Sequence, residues 1–160
     1  SRVRVPYQER ELFVSVGNEK NVDPDLLHAI AWQESNITPG AISRPNRDQS
    51  RDWGMMQINE RNFTMLGLNQ LTALNPELNV RAAATLISHI RSAGVKDSAD
   101  ILSIYNAGDA KFKPFGLGPR LRGGKYVNQI YVTTALGKLT LVRLANVVPV
   151  LRSIPGSVAA

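Results

Sequence analysis

The sequence predicts a mainly α-helical protein, and three observations carry that expectation. Asp23-Pro24 opens the run LLHAIAWQES, Asn75-Pro76 opens a second run that continues to about Ile90, and residues 98–107, SADILSIYNA, are apolar nearly all round. Apolar residues make up 43% of the 160 and charged residues 20%, enough to bury a core and unlike the composition of disordered chains. One domain over residues 1–160 is expected, since folded domains commonly run to roughly 100 to 150 residues.

Taken in order, the start SRVRVPYQERE lacks the apolar core of a signal peptide, so an export signal would lie out of view. No apolar run approaches the roughly 18 to 20 residues that cross a bilayer. The first predicted helix has Asp23 as its N-cap and Pro24 at its first position, a residue pair suited to a helix start. Leu27, Ile30, Ala31 and Glu34 then fall on one face. Residues 36–53 carry Pro39, Gly40 and Pro45 among polar residues and read as a long irregular connection, a length often associated with function.

The helix after Asn75-Pro76 places Asn79, Ala82, Ala83, Leu86, Ile87 and Ile90 on one stripe. A buried amide without partners costs about 1 to 3 kcal/mol, so Asn79 is expected to bond backbone or side chains. The helix over 98–107 should stop at Gly108. Residues 111–125 form a basic loop with Lys111, Lys113, Arg120, Arg122 and Lys125 and no acid. Residues 125–136 and about 138–148 look helical, although KLTLVRLANVV is also compatible with a strand. The tail 154–160 is expected to be loose, and no internal repeat is evident.

The chain has no cysteine, which excludes a disulfide framework, a thiolate metal site and a cysteine nucleophile. Its two histidines, His28 and His89, supply neither a multi-histidine metal site nor a histidine-based triad, and are expected on the surface or half-buried. No metal and no cofactor are expected. A formal charge of +6 implies an anionic partner without choosing among nucleic acid, lipid headgroups and acidic polymers.

Glu34 poses the chemical question. A general acid must keep its proton near neutral pH, and burial against apolar side chains raises a carboxyl pKa. Periodicity alone leaves open a second reading, in which a helix-end glutamate turns outward to water.

Glu34-Ser35, Ser43, Gly54-Met55-Met56-Gln57-Ile58-Asn59, Asn79, Tyr105-Asn106-Ala107-Gly108 and Tyr126-Val127 follow one another across residues 23–131. In order and spacing they resemble the soluble lytic transglycosylase catalytic domain. The resemblance implies a lysozyme-like fold with a glycan-binding groove, at most a small irregular β region, and a C-terminal helical extension and tail over 135–160. It implies cleavage of the bond between N-acetylmuramic acid and N-acetylglucosamine in peptidoglycan, with Glu34 acting as acid and then as base to close a 1,6-anhydro ring. By the same resemblance Tyr105 would position Glu34 or steady developing charge, and Ser43 would bond near Glu34 or the substrate's N-acetyl group. Gln57, Asn59, Asn106 and Tyr126 would bind the glycan, while Met55, Met56 and Ile58 would pack around the site.

Two departures stand out. Asn59-Glu60 replaces the Met-Pro of many members, and the stretch between Ser43 and Gly54 is longer and charged, features similar to the branch attached to secretion, conjugation and pilus machines. Asp52-Trp53-Gly54 through Asn59 also resembles the lysozyme strand that presents a second carboxylate. A hydrolase needs that second group as nucleophile, ion stabiliser or base, and so Asp52 is either catalytic or a turn-forming aspartate beside Arg51. A hydrolytic muramidase is therefore the alternative enzyme, and a nucleic-acid module or a non-catalytic wall-binding scaffold the alternatives outside catalysis. The expected partners are peptidoglycan glycan strands and a trans-envelope machine, with no nucleic acid, no transmembrane segment and a monomeric state. The expected location is the periplasm or cell envelope.

Overall fold

The computed structural model of the protein describes residues 4–107 and 118–153. Gly108, Lys111, Lys113 and the tail 154–160, all named above, lie outside the described residues. Among the described residues six α-helices carry the fold: α1 (Arg10–Lys20), α2 (Pro24–Ser35), α3 (Phe63–Leu66), α4 (Pro76–Ser92), α5 (Ser98–Ala107) and α6 (Gln129–Val147). Three two-stranded pairs accompany them among the described residues. β1 (Val5–Pro6) pairs in parallel with β6 (Arg152–Ser153), β2 (Asp52–Trp53) antiparallel with β3 (Ile58–Asn59), and β4 (Leu121–Arg122) antiparallel with β5 (Lys125–Tyr126).

α2 begins as its sequence dictates, with the Asp23 side chain accepting the Asp25 N–H at 2.9 Å and Pro24 at the first turn. Leu27, Ile30 and Ala31 are fully buried on the face that also carries Glu34. His28 is fully buried too, which corrects the expectation of a surface or half-buried position. Its ring stacks on Phe13 with centroids 5.0 Å apart, its Nε2–H donates to the Pro6 carbonyl at 2.7 Å, and Nδ1 accepts from Arg10 at 3.2 Å. Burial holds its pKa down, to about 4, so it serves the core as a neutral ring.

α1 was not anticipated. Its N-cap Glu9 has φ 65° and makes no side-chain capping bond, so the usual start signal is missing, yet Phe13, Val16 and Gly17 are buried at helical spacing. α4 and α5 occupy the predicted stretches, and α4 opens with the Asn75 side chain accepting the Leu78 N–H at 3.0 Å.

Two expectations near the C-terminal end are corrected. The segments 125–136 and 138–148 are not two helices, and KLTLVRLANVV is not a strand: Gln129–Val147 is one continuous helix. Gly137 sits inside it at a cost of about 1 kcal/mol. Val132, Ala135, Leu139, Val142 and Ala145 offset that cost by burying one stripe on either side of the glycine. Residues 125–126 belong instead to a hairpin whose two turn residues, Gly123 and Gly124, both have positive φ (59° and 77°), the backbone a tight two-residue hairpin turn requires.

α6 packs antiparallel along α2. Its contacts run from Tyr131 with Glu34, through Lys138 with Gln33 at 2.8 Å, to Arg143 with Asp23 at 3.0 Å and Asn146 with Asp25 at 2.8 Å. Among the described residues no helix is long and apolar enough to cross a membrane.

Candidate active site

The site is built around the turn Gly54–Gln57. Three elements reach in to fix it: Ser35 Oγ on α2 donates to the Met55 carbonyl at 2.8 Å, Tyr105 Oη on α5 donates to the Met56 carbonyl at 2.7 Å, and Asn79 on α4 brackets it. Asn79 has no exposed surface. Its Nδ2 donates to the Trp53 and Ala73 carbonyls, both at 2.9 Å, and its Oδ1 accepts the Met56 N–H at 2.9 Å. The amide is satisfied three times over, as burial demands. Gly54 has φ +81°, and a Cβ there would lie 2.3 Å from Asn79 Nδ2, so both the backbone conformation and the close approach require glycine.

Beside this turn opens a cleft of about 670 Å³, bordered by Glu34, Asp52, Gln57, Asn59, Tyr105 and Asn106 among others. Six of the eight side chains singled out from the sequence thus meet at one surface. Ser43 and Tyr126 are not among its described lining residues. Ser43 Oγ accepts the Asp52 N–H at 2.8 Å and donates to the Arg44 carbonyl at 2.8 Å, a backbone clasp under Asp52 and not a bond to Glu34. Tyr126 Oη donates to Asp100 at 2.6 Å, tying the β4–β5 hairpin to α5, and this bond raises its pKa to about 12.

Glu34 is half-buried, and burial pushes its carboxyl pKa up to about 7. A hydrogen bond from Tyr131 opposes that shift, while the negative charge of Asp52 adds to it. The Tyr131 hydroxyl donates to Glu34 Oε2 at 2.7 Å. The partner expected from the resemblance was Tyr105, whose hydroxyl is instead committed to Met56. Tyr105 lines the cleft and braces the turn, and its own pKa is held well above the ordinary value, first by burial and then by Glu34.

Asp52 sits half-buried on β2, its Oδ1 accepting from Asn59 Nδ2 at 3.0 Å and its Oδ2 from Asn46 Nδ2 at 3.4 Å. Neutral amides therefore fix its direction without neutralising its charge. Asn59 is spoken for: its Nδ2 also meets Ser50 Oγ at 2.9 Å, and its Oδ1 accepts the Arg61 backbone N–H and Nε. Gln57, at φ 52°, donates its amide N–H groups to the Ala41 and Gly54 carbonyls, and Asn106 accepts from Asn128 at 2.9 Å. Among the described residues no group of three or more His, Asp or Glu side chains is arranged to hold a metal ion.

Sequence reasoning missed Tyr131, Asn46 and the role of Asn59 as the hinge between Asp52 and Arg61. The one available signal for Tyr131 was its place on an apolar helical stripe with Val132 and Ala135. Nothing local pairs it with a glutamate 97 residues earlier.

Arranged this way, the cleft can present a proton-bearing carboxyl at neutral pH beside a second carboxylate fixed by amides. The family described as "Transglycosylase SLT domain" matches residues 11–115. The chain is 37% identical over 92 residues to the invasion protein IagB of Salmonella typhimurium, covering 55% of this chain and 56% of that protein. It is 30% identical over 112 residues to the peptidoglycan transglycosylase gp16 of Escherichia phage T7, covering 67% of this chain and 8% of that protein. The fold superposes with a TM-score of 0.67 and 16% identity on an inactive mutant of the lytic transglycosylase Slt from Pseudomonas aeruginosa, over 93% of this chain and 25% of that one. The chain thus spans about half the length of the first of these relatives and a small part of the second.

Proposed function

The chain belongs to the transglycosylase SLT domain family, and from that premise we propose that it cleaves the β-1,4 bond between N-acetylmuramic acid and N-acetylglucosamine in peptidoglycan by lytic transglycosylation. The observation that carries this reading is Glu34, half-buried, held by Tyr131 and raised to about pKa 7. At neutral pH such a carboxyl exists in comparable amounts as acid and base, which suits a group that must give a proton and then take one back.

In the first step Glu34 donates its proton to the bridging oxygen as the bond from that oxygen to C1 of the muramic acid breaks. The leaving sugar departs with a neutral 4-hydroxyl, and positive charge spreads over the ring oxygen or the N-acetyl group. In the second step the Glu34 carboxylate removes the proton of the muramic acid's own 6-hydroxyl while that oxygen bonds C1. Glu34 ends protonated, as it began, and no water is consumed. Tyr131 stabilises the carboxylate between the two steps, and Asp52, in the same cleft, favours the cationic sugar through its charge. Tyr105 acts through the Gly54–Gln57 turn, and Gln57 and Asn106 offer polar edges to the glycan.

One observation favours a second reading. Asp52 is aimed by Asn46 and Asn59, as a hydrolase would need for attack on C1 or activation of water. Mass analysis of the products from purified sacculi separates the two. Anhydro ends support lytic transglycosylation, and reducing ends, heavier by one water, make the protein a muramidase with Glu34 still the acid. No soluble product at all overturns both. The likeness to an invasion protein supports placement in the cell envelope, beside a trans-envelope machine.

A further inference from the structure

The cleft wall that carries Asp52 presents three consecutive residues, Asn46, Arg47 and Asp48, and two of them are committed. Asn46 donates its backbone N–H to the Ser50 carbonyl at 2.7 Å, and its Nδ2 lies 3.4 Å from both Ser50 Oγ and Asp52 Oδ2. Asp48 Oδ1 accepts the Ser50 N–H at 2.9 Å and its hydroxyl at 2.5 Å, while Oδ2 pairs with Arg61 at 2.8 Å. Arg61, the other cation among the described wall residues, is engaged a second time by Asn59 at 3.1 Å. Arg47 is held between two anchored neighbours. It is exposed, borders the cleft, and has no hydrogen bond or ion pair among the described residues.

An arginine offers five N–H donors in a planar fork matched to a carboxylate. The sugar rings of a peptidoglycan strand are uncharged, and the negative charge nearest the strand lies on the lactyl side chain of the muramic acid. That side chain carries a free carboxylate when bare, or a peptide stem with its own carboxylates when substituted. We propose that Arg47 binds a carboxylate borne on the muramic acid side chain and so is a specificity-determining residue, selecting muramic-acid strands over uncharged glycans. The inference rests on the glycan-cleaving reading above and assigns it a recognition element. The recognising loop lies in the stretch between Ser43 and Gly54 where this sequence is longer and more charged than its resemblance would give. With Asp52 on the same wall, Arg47 also offsets the repulsion an anionic strand would meet on entry.

The test uses binding, so that it does not depend on turnover. In a Glu34→Gln background, with Arg47 kept or changed to Gln, affinity is measured for three probes: peptide-bearing glycan strands, strands stripped of peptide by an amidase, and chitohexaose, which has N-acetylglucosamine rings and no carboxylate. Arg47→Gln should weaken binding of a muramic-acid probe by roughly five- to tenfold, the scale of one exposed charge-assisted contact, and leave chitohexaose unchanged. Loss confined to the peptide-bearing strands assigns the stem carboxylates as the ligand, and loss on the stripped strands assigns the lactyl carboxylate. No loss on either, or an equal loss on all three probes, overturns the proposal. If the wild type releases no product from sacculi while this contrast persists, the catalytic reading fails and the assignment of Arg47 stands.

Discussion

The Tyr131 hydroxyl meets Glu34 Oε2 at 2.7 Å from a helix that begins 95 residues after Glu34. The bond favours the ionised carboxylate, so Tyr131→Phe should push the Glu34 pKa above its value of about 7. The alkaline limb of the pH–rate profile, where the acid is lost, should then move to higher pH. The rate at the optimum should fall by about 10- to 100-fold, because the acid also loses the contact that aims it. A full pH profile of product release checks both effects, and an unmoved limb would mean that another group sets it.

Asp52→Asn should do the opposite. The Asp52 charge raises the Glu34 pKa, so its removal should shift the same limb to lower pH. If ring closure is internal, products should remain anhydro with a partial rate loss, since no second carboxylate is required. If Asp52 is a nucleophile or base, reducing-end products should fall by about 100-fold or more.

Glu34→Gln should abolish cleavage and stabilise the fold at neutral pH and above. The folded-state pKa of about 7 exceeds the ordinary value of 4.5, so the folded protein holds this proton more tightly than the unfolded chain. The wild type therefore loses stability as pH rises from 4.5 through 7. The glutamine has no proton to lose. Urea titrations should give the variant an advantage of about 3 kcal/mol at pH 8 and almost none at pH 4. Equal stability at pH 8 would place the Glu34 carboxyl in water.

Gly54→Ala should cost about 3 kcal/mol, because it combines a φ of +81° with a Cβ 2.3 Å from an amide that three hydrogen bonds hold in place. Gly40→Ala is the control: nothing lies within 4 Å of a Cβ there, and its effect should stay within about 0.5 kcal/mol. Chemical denaturation of the two variants gives the comparison directly.

The helices from Pro24 and from Pro76 were legible because Asp-Pro and Asn-Pro are local start signals followed by an unbroken apolar stripe. Asn79 was legible as a satisfied core amide because its stripe was otherwise apolar. α1 escaped notice because its N-cap residue, Glu9, is held in a left-handed conformation and makes no capping bond. α6 was misread because Gly137 resembles a boundary when the stripe that bridges it is not weighed. In the site, residues two to nine apart in sequence, such as Ser43 and Asp52, announce themselves as a cluster but not as partners. The choice between Tyr105 and Tyr131 as the partner of Glu34 depends on how α5 and α6 cross α2, which no local pattern encodes.

The contact between α6 and α2 also bears on the order in which the protein becomes competent during synthesis. A ribosome delivers Glu34, Asp52 and the bracing turn well before it delivers Tyr131, and the span matched to the family ends at residue 115, short of that helix. A nascent chain that stops there holds both carboxylates but neither the hydroxyl that aims the acid nor the helix along α2. The Tyr131 contact that holds Glu34 therefore forms late, with α6, after both carboxylates of the cleft are already in the chain.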